Sequence, residues 1–344
     1  MVKGLRLIED LKTDNLSFNE LPRRKQRGIK NFKFCHSALD AESSSVFWIP
    51  ASAGMTNSPQ AAGNTTRRDL NGNVTRTWSR YFLVSWMLID SHTHLEMPEF
   101  KKDLEAVIQR AKESEVEYIF TVGTERKDWK RALEIANSHP LIYAILGVHP
   151  HNAKEIDDQT YPMLKELCRD GRVRAYGEIG LDFFRNLSPR DIQLKRFREQ
   201  IGLAKELGLP IVVHDREAHR ETLEILKSEK AEECGGIIHC FSGDYEMARV
   251  CIDMGFYISI PGSITFKNAE GFREIVNRIP LESLLVETDA PFLTPEPFRG
   301  KRNEPSYVRY TAKKVAEVKK VSLEKVAEVT TENALRVYRL NNLR

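Results

Sequence analysis

Cysteine is scarce in this 344-residue chain: Cys35, Cys168, Cys234, Cys240 and Cys251, with no C-x-x-C pair among them. An odd, scattered set speaks against a disulfide framework and for reduced thiols in a cytoplasmic protein. Long apolar runs are missing as well. No stretch approaches the ~18 residues of a membrane span. The longest early patch, Tyr81-Phe82-Leu83-Val84, is too short and too far along for a secretory signal. Nor does one charge dominate, since 52 Lys and Arg face 49 Asp and Glu. The net charge of +3 is unevenly placed. Residues 1–86 carry 13 basic and 7 acidic side chains, whereas the other 258 residues carry 39 and 42. The basic balance therefore gives no argument for a nucleic-acid-wrapping surface on the larger part.

With 41% hydrophobic and 29% charged residues, the chain reads as soluble and globular, with ample length for a large core. Residues 1–86 do not read as a domain. Glu9 to Lys30 suits a polar helix with a basic cluster at Arg23, Arg24, Lys25 and Arg27. Ser37 to Arg80 is rich in Ser, Ala, Asn, Thr and Gly and keeps no period of 2 or 3.6. The phrase from Cys35 to Thr56 resembles translated bacterial repeat DNA, and Met87 stands immediately before the first core strand. The segment is expected to be an over-extended reading frame or a disordered appendage. The functional alternative is a basic tail that touches nucleic acid or a partner.

From Met87 the pattern changes. Eight short apolar runs appear: Leu88–Asp90, Tyr118–Val122, Ile142–Val148, Val173–Ile179, Ile211–Val213, Gly236–Ile238, Phe256–Ile260 and Leu284–Val286. Amphipathic stretches such as Leu104–Glu113, Trp129–Ala136, Ile192–Leu207, Arg220–Leu226 and Glu246–Met254 lie between them. Gly171, Gly208 and Gly255 stand where helices would stop. Two further helical stretches, Pro305–Lys319 and Leu323–Tyr338, close the chain. Continuous apolar strands alternating with helices predict a parallel sheet buried on both faces. Eight units in 258 residues match the ~250 typical of an α/β fold of the (β/α)8 TIM-barrel type. An open doubly wound sheet is the rival, but no Gly-x-Gly-x-x-Gly turn follows an early strand.

In such a barrel the chemistry sits at the carboxyl ends of the strands. The first strand ends in His92-Thr93-His94. Alternation aims His92 and His94 one way and Ser91 and Thr93 the other, giving half a metal site. A His-x-His pair alone also occurs by chance on surfaces. The other strand ends decide the matter. Six of the nine histidines fall there, namely His92, His94, His149, His151, His214 and His239, together with Glu178 and Asp289. Such a set in one mouth would be poorly satisfied without a cation.

Ser91-His92-Thr93-His94, Gly147-Val148-His149-Pro150-His151, Gly177-Glu178-Ile179-Gly180-Leu181-Asp182, Val213-His214-Asp215-Arg216, Ile238-His239-Cys240-Phe241-Ser242-Gly243 and Glu287-Thr288-Asp289-Ala290-Pro291 resemble the motifs of the TatD-type metal-dependent deoxyribonucleases. The loop Arg299-Gly300-Lys301-Arg302-Asn303-Glu304-Pro305 is similar too. The likeness runs from Met87 to about Tyr338, in order and spacing, and leaves 1–86 outside. It implies a TIM-barrel hydrolase of the amidohydrolase superfamily with two divalent metal ions. By that resemblance His92, His94 and Asp289 hold one ion and His214 and His239 the other, with Glu178 bridging. Many amidohydrolases bridge with a carbamylated lysine on the fourth strand. None stands near Glu178, which favours the nuclease branch.

Two metals about 3.5–4 Å apart suit phosphodiester hydrolysis, one lowering the pKa of a water and the other stabilising phosphoryl charge. Asp289 is expected to take the proton of that water. His149, Arg216, Arg299 and Arg302 are the candidate phosphate donors. His151 and Asp182 read as braces, and Glu287 as a hydrogen-bond partner of a ligand histidine. Cys240 reads as a packed thiol facing the helices. Phe183 and Phe184 read as packing, with base stacking as the alternative. The ligand types suit Mg, Mn or Zn alike. The expectation is a cytoplasmic deoxyribonuclease acting on DNA ends, with no membrane and no obligate protein partner. Its rivals are an ester or amide hydrolase at the same centre, such as a D-aminoacyl-tRNA deacylase, and a non-catalytic binding barrel.

Overall fold

The computed structural model describes residues 67–68, 74–75 and 87–340. They fall in two compact units. In Met1–Tyr81 the described residues form a short antiparallel ladder of Arg67–Arg68 with Val74–Thr75. The helix expected over Glu9–Lys30 lies outside the described residues, as does the rest of Ser37–Arg80.

The second unit, Phe82–Arg344, carries all eight expected strands. They are β1 (Leu88–Thr93), β2 (Val116–Gly123), β3 (Ile142–Leu146), β4 (Val173–Asp182), β5 (Ile211–Arg216), β6 (Gly236–Ile238), β7 (Phe256–Ile260) and β8 (Leu284–Val286). Each is hydrogen-bonded to its neighbours in sequence, and all pairs are parallel. Just past β8 the sheet meets β1 again. Thr93 bridges Ala290, the Asp289 N–H donates to His92 O at 3.0 Å, and the His94 N–H to Ala290 O at 2.7 Å. Chain turns carrying three expected metal ligands, His92, His94 and Asp289, thus make the barrel's seam.

Around the sheet run α1 (Leu104–Glu113), α2 (Arg126–Ser138), α3 (Thr160–Leu167), α4 (Arg190–Leu207), α5 (His219–Ser228), α6 (Tyr245–Asp253), α7 (Glu270–Arg278), α8 (Val308–Lys319) and α9 (Leu323–Val337). Their boundaries have local causes. Asp244 and Ser322 cap α6 and α9 by accepting from Met247 N and Lys325 N. Gly208 takes the left-handed φ of +64° that ends α4. Gly171 has no such role, because α3 stops at Leu167. No helix among the described residues is long and apolar enough to cross a membrane.

Alternation splits the strand residues between two cores. Leu88, Ile119, Leu146, Tyr176 and Val213 pack outward under the helices. Ile89, Phe120, Val122, Ile145, Ala175, Val212, Ile237 and Leu285 fill the barrel together with the last turn of α9 and the residues that follow it. Tyr338 closes its base, stacked 3.6 Å from Phe120, with its hydroxyl donating to Ser91 O at 2.7 Å. Apolar filling below leaves the polar residues at the carboxyl mouth.

Candidate metal centre

Strict alternation from the inward Ile89 would place Ser91 inside and turn His92 out. The β1–β2 register instead shifts between Asp90 and Thr93. His92 faces the mouth, stacked 3.6 Å from His239. Ser91 also stays inside, paired with Ser259 Oγ at 2.9 Å, which corrects the expectation that it points away. The β4–β5 register shifts likewise between Gly177 and Ile179, and Glu178 faces the cluster. Such irregularities re-aim side chains beside a site. Glycines let the strands approach here. Gly180, at φ +138°, has no room for a Cβ against the His214 carbonyl, and a Cβ on Gly147 would meet Gly177 at 2.7 Å.

All six expected ligands converge. His92 Nε2 lies 3.3 Å from His94 Nε2 and 3.4 Å from Glu178 Oε2. Asp289 Oδ1 lies 3.4 Å from His94 Nε2 and 4.0 Å from His92 Nε2. The other Glu178 oxygen faces His214 Nδ1 at 2.6 Å, His239 Nε2 at 3.3 Å and His149 Nε2 at 3.5 Å. Asp289 adopts φ +54°, a left-handed conformation that Asp tolerates better than most side chains.

Donor atoms within 4.8 Å of one another make four groups that can hold an ion: His92–His94–Asp289, His92–Glu178–His239, His149–Glu178–His214 and His239–Cys240–Glu287. The first is the expected set. The second differs in part, for His239 groups with His92 and His214 with His149. The rings of His214 and His239 stand 6.1 Å apart and share only Glu178. Imidazole nitrogens and carboxylate oxygens with converging lone pairs suit a divalent cation, so the residues fit a metal.

Behind the ligands stands a layer of carboxylates, as metal-binding imidazoles require. Glu96 Oε1 is 3.2 Å from His94 Nδ1, and Glu96 Oε2 accepts from Thr121 Oγ1 at 2.9 Å. Sequence reasoning missed Glu96, although its place two residues after His94 was a signal. Asp182 Oδ2 braces His151 Nε2 at 2.8 Å and His214 Nε2 at 3.2 Å. Glu287 Oε1 lies 3.1 Å from His239 Nδ1, a contact too poorly aligned to satisfy that nitrogen, and Glu287 Oε2 accepts from Ser259 Oγ at 2.6 Å. Asp90, not singled out from sequence, accepts from the Thr288 N–H and hydroxyl at 2.8 and 2.6 Å and fixes the turn before Asp289.

Burial disfavours charge throughout, and neighbours decide the outcome. Burial and the adjacent His239 push His92 down to about 3. Burial also takes His149 down to about 4, despite the pull of Glu178. At His214 burial is outweighed by Asp182 and Glu178, which raise it to about 9. His94 rises through Asp289 and Glu96, and His239 through Glu287 and Glu178, each against burial. Burial opposes the charge of Glu178 too, but His239, His149 and His214 hold its carboxyl well below the usual range. The carboxylates thus favour the charged form at His94, His214 and His239, while burial favours the neutral form at His92 and His149.

Two expectations fail on geometry. Cys240 does not face the helices. At φ +46° its thiol turns toward His239 and Glu287, near Asp289 and Arg216. Arg302 does not offer its guanidinium to the mouth. It grips both Asp103 oxygens at 2.8 Å, donates to Glu99 O at 2.6 Å and lies over the Phe100 ring. Arg299 lies 3.9 Å over Phe266 and donates to Thr294 O. Arg216 lies 4.1 Å over Phe184. Phe183 is core, as expected, whereas Phe184 is exposed.

The profile of the family described as TatD related DNase matches residues 89–339. A Bacillus subtilis relative, the uncharacterized metal-dependent hydrolase YabD, is 50% identical over 255 residues, covering 74% of this chain and all of the relative. The 3'-5' ssDNA/RNA exonuclease TatD of Erwinia tasmaniensis is 35% identical over 259 residues, covering 74% of this chain and all of that protein. Among solved structures, the TatD homologue YjjV of Escherichia coli K12 aligns with a TM-score of 0.70 at 31% identity, over 74% of this chain and 99% of that one.

Proposed function

The chain belongs to the TatD-related DNase family of metal-dependent hydrolases, and on that premise we propose that it is a deoxyribonuclease that hydrolyses phosphodiesters at DNA ends with two divalent ions. The observation that carries the reading is the two-sided placement of Glu178, with one oxygen toward His92 at 3.4 Å and the other toward His214 and His239 at 2.6 and 3.3 Å. A carboxylate so placed could serve two cations, with the imidazoles as further ligands. The relative named as a 3'-5' ssDNA/RNA exonuclease supports a nucleic-acid substrate.

His92, His94 and Asp289 would hold one ion and His214, His239 and Glu178 the other. Bound there, the pair makes water a nucleophile at neutral pH and neutralises charge on the phosphoryl oxygens. The chain's own groups do the rest. Asp289, at the open side of the cluster, takes the proton of the attacking water. His149 is a donor. Its Nδ1 accepts the His151 N–H at 3.1 Å, which leaves the proton of the neutral ring on Nε2, facing the site. That N–H binds a phosphate oxygen, and Arg216 adds charge from β5. Arg299, over Phe266, stays a candidate donor, and Arg302 drops out because Asp103 already holds it.

The test is release of nucleotides from single-stranded DNA by the full chain with Mg, Mn and Zn in turn. Metal-dependent release is expected. No release with any of the three, alongside deacylation of D-aminoacyl-tRNA, would transfer the same centre to ester hydrolysis.

A further inference from the structure

Among the described residues two aromatic side chains are exposed, Phe184 at 47% and Phe292 at 42%, and both stand at the mouth of the barrel. Phe184 follows β4 two residues after Asp182. One face of its ring carries the Arg216 guanidinium at 4.1 Å, and that guanidinium is close enough to the cluster to act on the Cys240 thiol. Phe292 follows Asp289 by three residues. Its ring meets His94 edge-on at 6.2 Å, and its backbone is pinned by Asn303 Nδ2 donating to its carbonyl at 2.6 Å. The strand order puts β4 and β5 across the barrel from β8 and β1. The two rings therefore stand on opposite sides, with the histidine–carboxylate cluster between them. Met87, Leu187 and Val321, the other exposed large apolar residues, carry no aromatic face.

We propose that Phe184, backed by Arg216, and Phe292 are stacking platforms for the two unpaired nucleobases on either side of the scissile phosphate. The inference rests on the nuclease reading and deepens it. A base pair cannot present both flanking bases face-on to opposite walls, so the substrate is a single-stranded end. Stacking accepts any base, because every base has a π-face. The Arg216 cation on Phe184 adds a second attraction and holds the ring in place.

The test uses 5′-labelled single-stranded oligonucleotides that are intact, abasic at the terminal residue, or abasic at the penultimate residue. Each stack is worth about 5- to 150-fold in kcat/KM, converted from alanine-substitution energies. The wild type should lose that factor at each abasic position. Phe184→Ala should lose it on intact DNA and lose nothing more at one of the two abasic positions. Phe292→Ala should behave alike at the other, and Phe184→Trp should restore the rate. Unchanged metal content in each variant separates lost stacking from a damaged centre. Equal wild-type rates on intact and abasic strands would overturn the platforms and leave the nuclease reading standing, as would alanine losses that multiply with both abasic losses. Loss of metal from both alanine variants would make the rings structural and overturn the platforms too. No wild-type release from intact DNA overturns both.

Discussion

The proposed function gives Asp289 and Glu178 different roles, and substitution separates them. Asp289→Asn keeps an oxygen beside His92 and His94 but offers no useful base. Its rate should fall by about 10²–10⁴-fold while much of the metal stays. Single-turnover rates beside metal analysis check this, and full activity would end the general-base assignment. The histidines predict a pH dependence. Asp182 and Glu178 raise His214 from 6.5 to about 9, so its contribution to stability is complete below 6.5 and is lost as pH rises through 9. A metal needs that imidazole neutral and must displace the proton. The rise in Tm on adding manganese should therefore grow from about pH 6.5 to 9, and a constant rise would contradict the protonated cluster. The six candidate ligands were legible because each stands in a short motif at a strand end. Ser91 and Cys240 were not, since the shift in β1 and the left-handed φ of Cys240 both break the alternation on which such a reading depends.

At the scale of elements, side chains from the helices fix where the strand ends point. Trp129 of α2 donates to Gly147 O at 2.8 Å, and Gln200 of α4 clasps both backbone groups of Val148, at 2.9 and 3.0 Å. Both contacts set the turn that carries His149. A second clip ties α1 to the late loop, where Arg302 grips Asp103 and Arg110 grips Glu304. Arg302→Ala should therefore leave metal content and kcat/KM nearly unchanged. It should lower stability by about 1 kcal/mol or less, because the pair is screened by solvent. A large loss of substrate binding would return Arg302 to the phosphate site. The strands were legible as apolar runs; β1, β2, β4 and β5 run a few residues beyond them, as at His92 and Thr93 or Asp215 and Arg216, whereas β3 stops at Leu146, short of the expected Val148. The helices α3 and α7 were given no bounds, although Gly171 was read as a helix stop. α3 has eight residues with Pro162 in its first turn and α7 has nine with Gly271 near its start, so both are short for a reading from sequence alone.

For the whole molecule, the family match begins at residue 89, and the barrel's first strand begins at Leu88. A protein starting at Met87 should fold and hydrolyse its substrate as well as the full chain does. Insolubility or inactivity of that shorter protein would make residues 1–86 a working part. No buried strand or helix period in those residues led the sequence to a fold there, whereas eight evenly spaced apolar runs made the barrel legible before any strand end was considered.

The account stands or falls on a centre that two cations share through Glu178. Elemental analysis of manganese-loaded protein, wild type beside Glu178→Gln, tests it most directly. Two ions per wild-type chain are expected, with both sites depleted and turnover abolished in the variant. One ion per wild-type chain, or an unchanged count in Glu178→Gln, would contradict it.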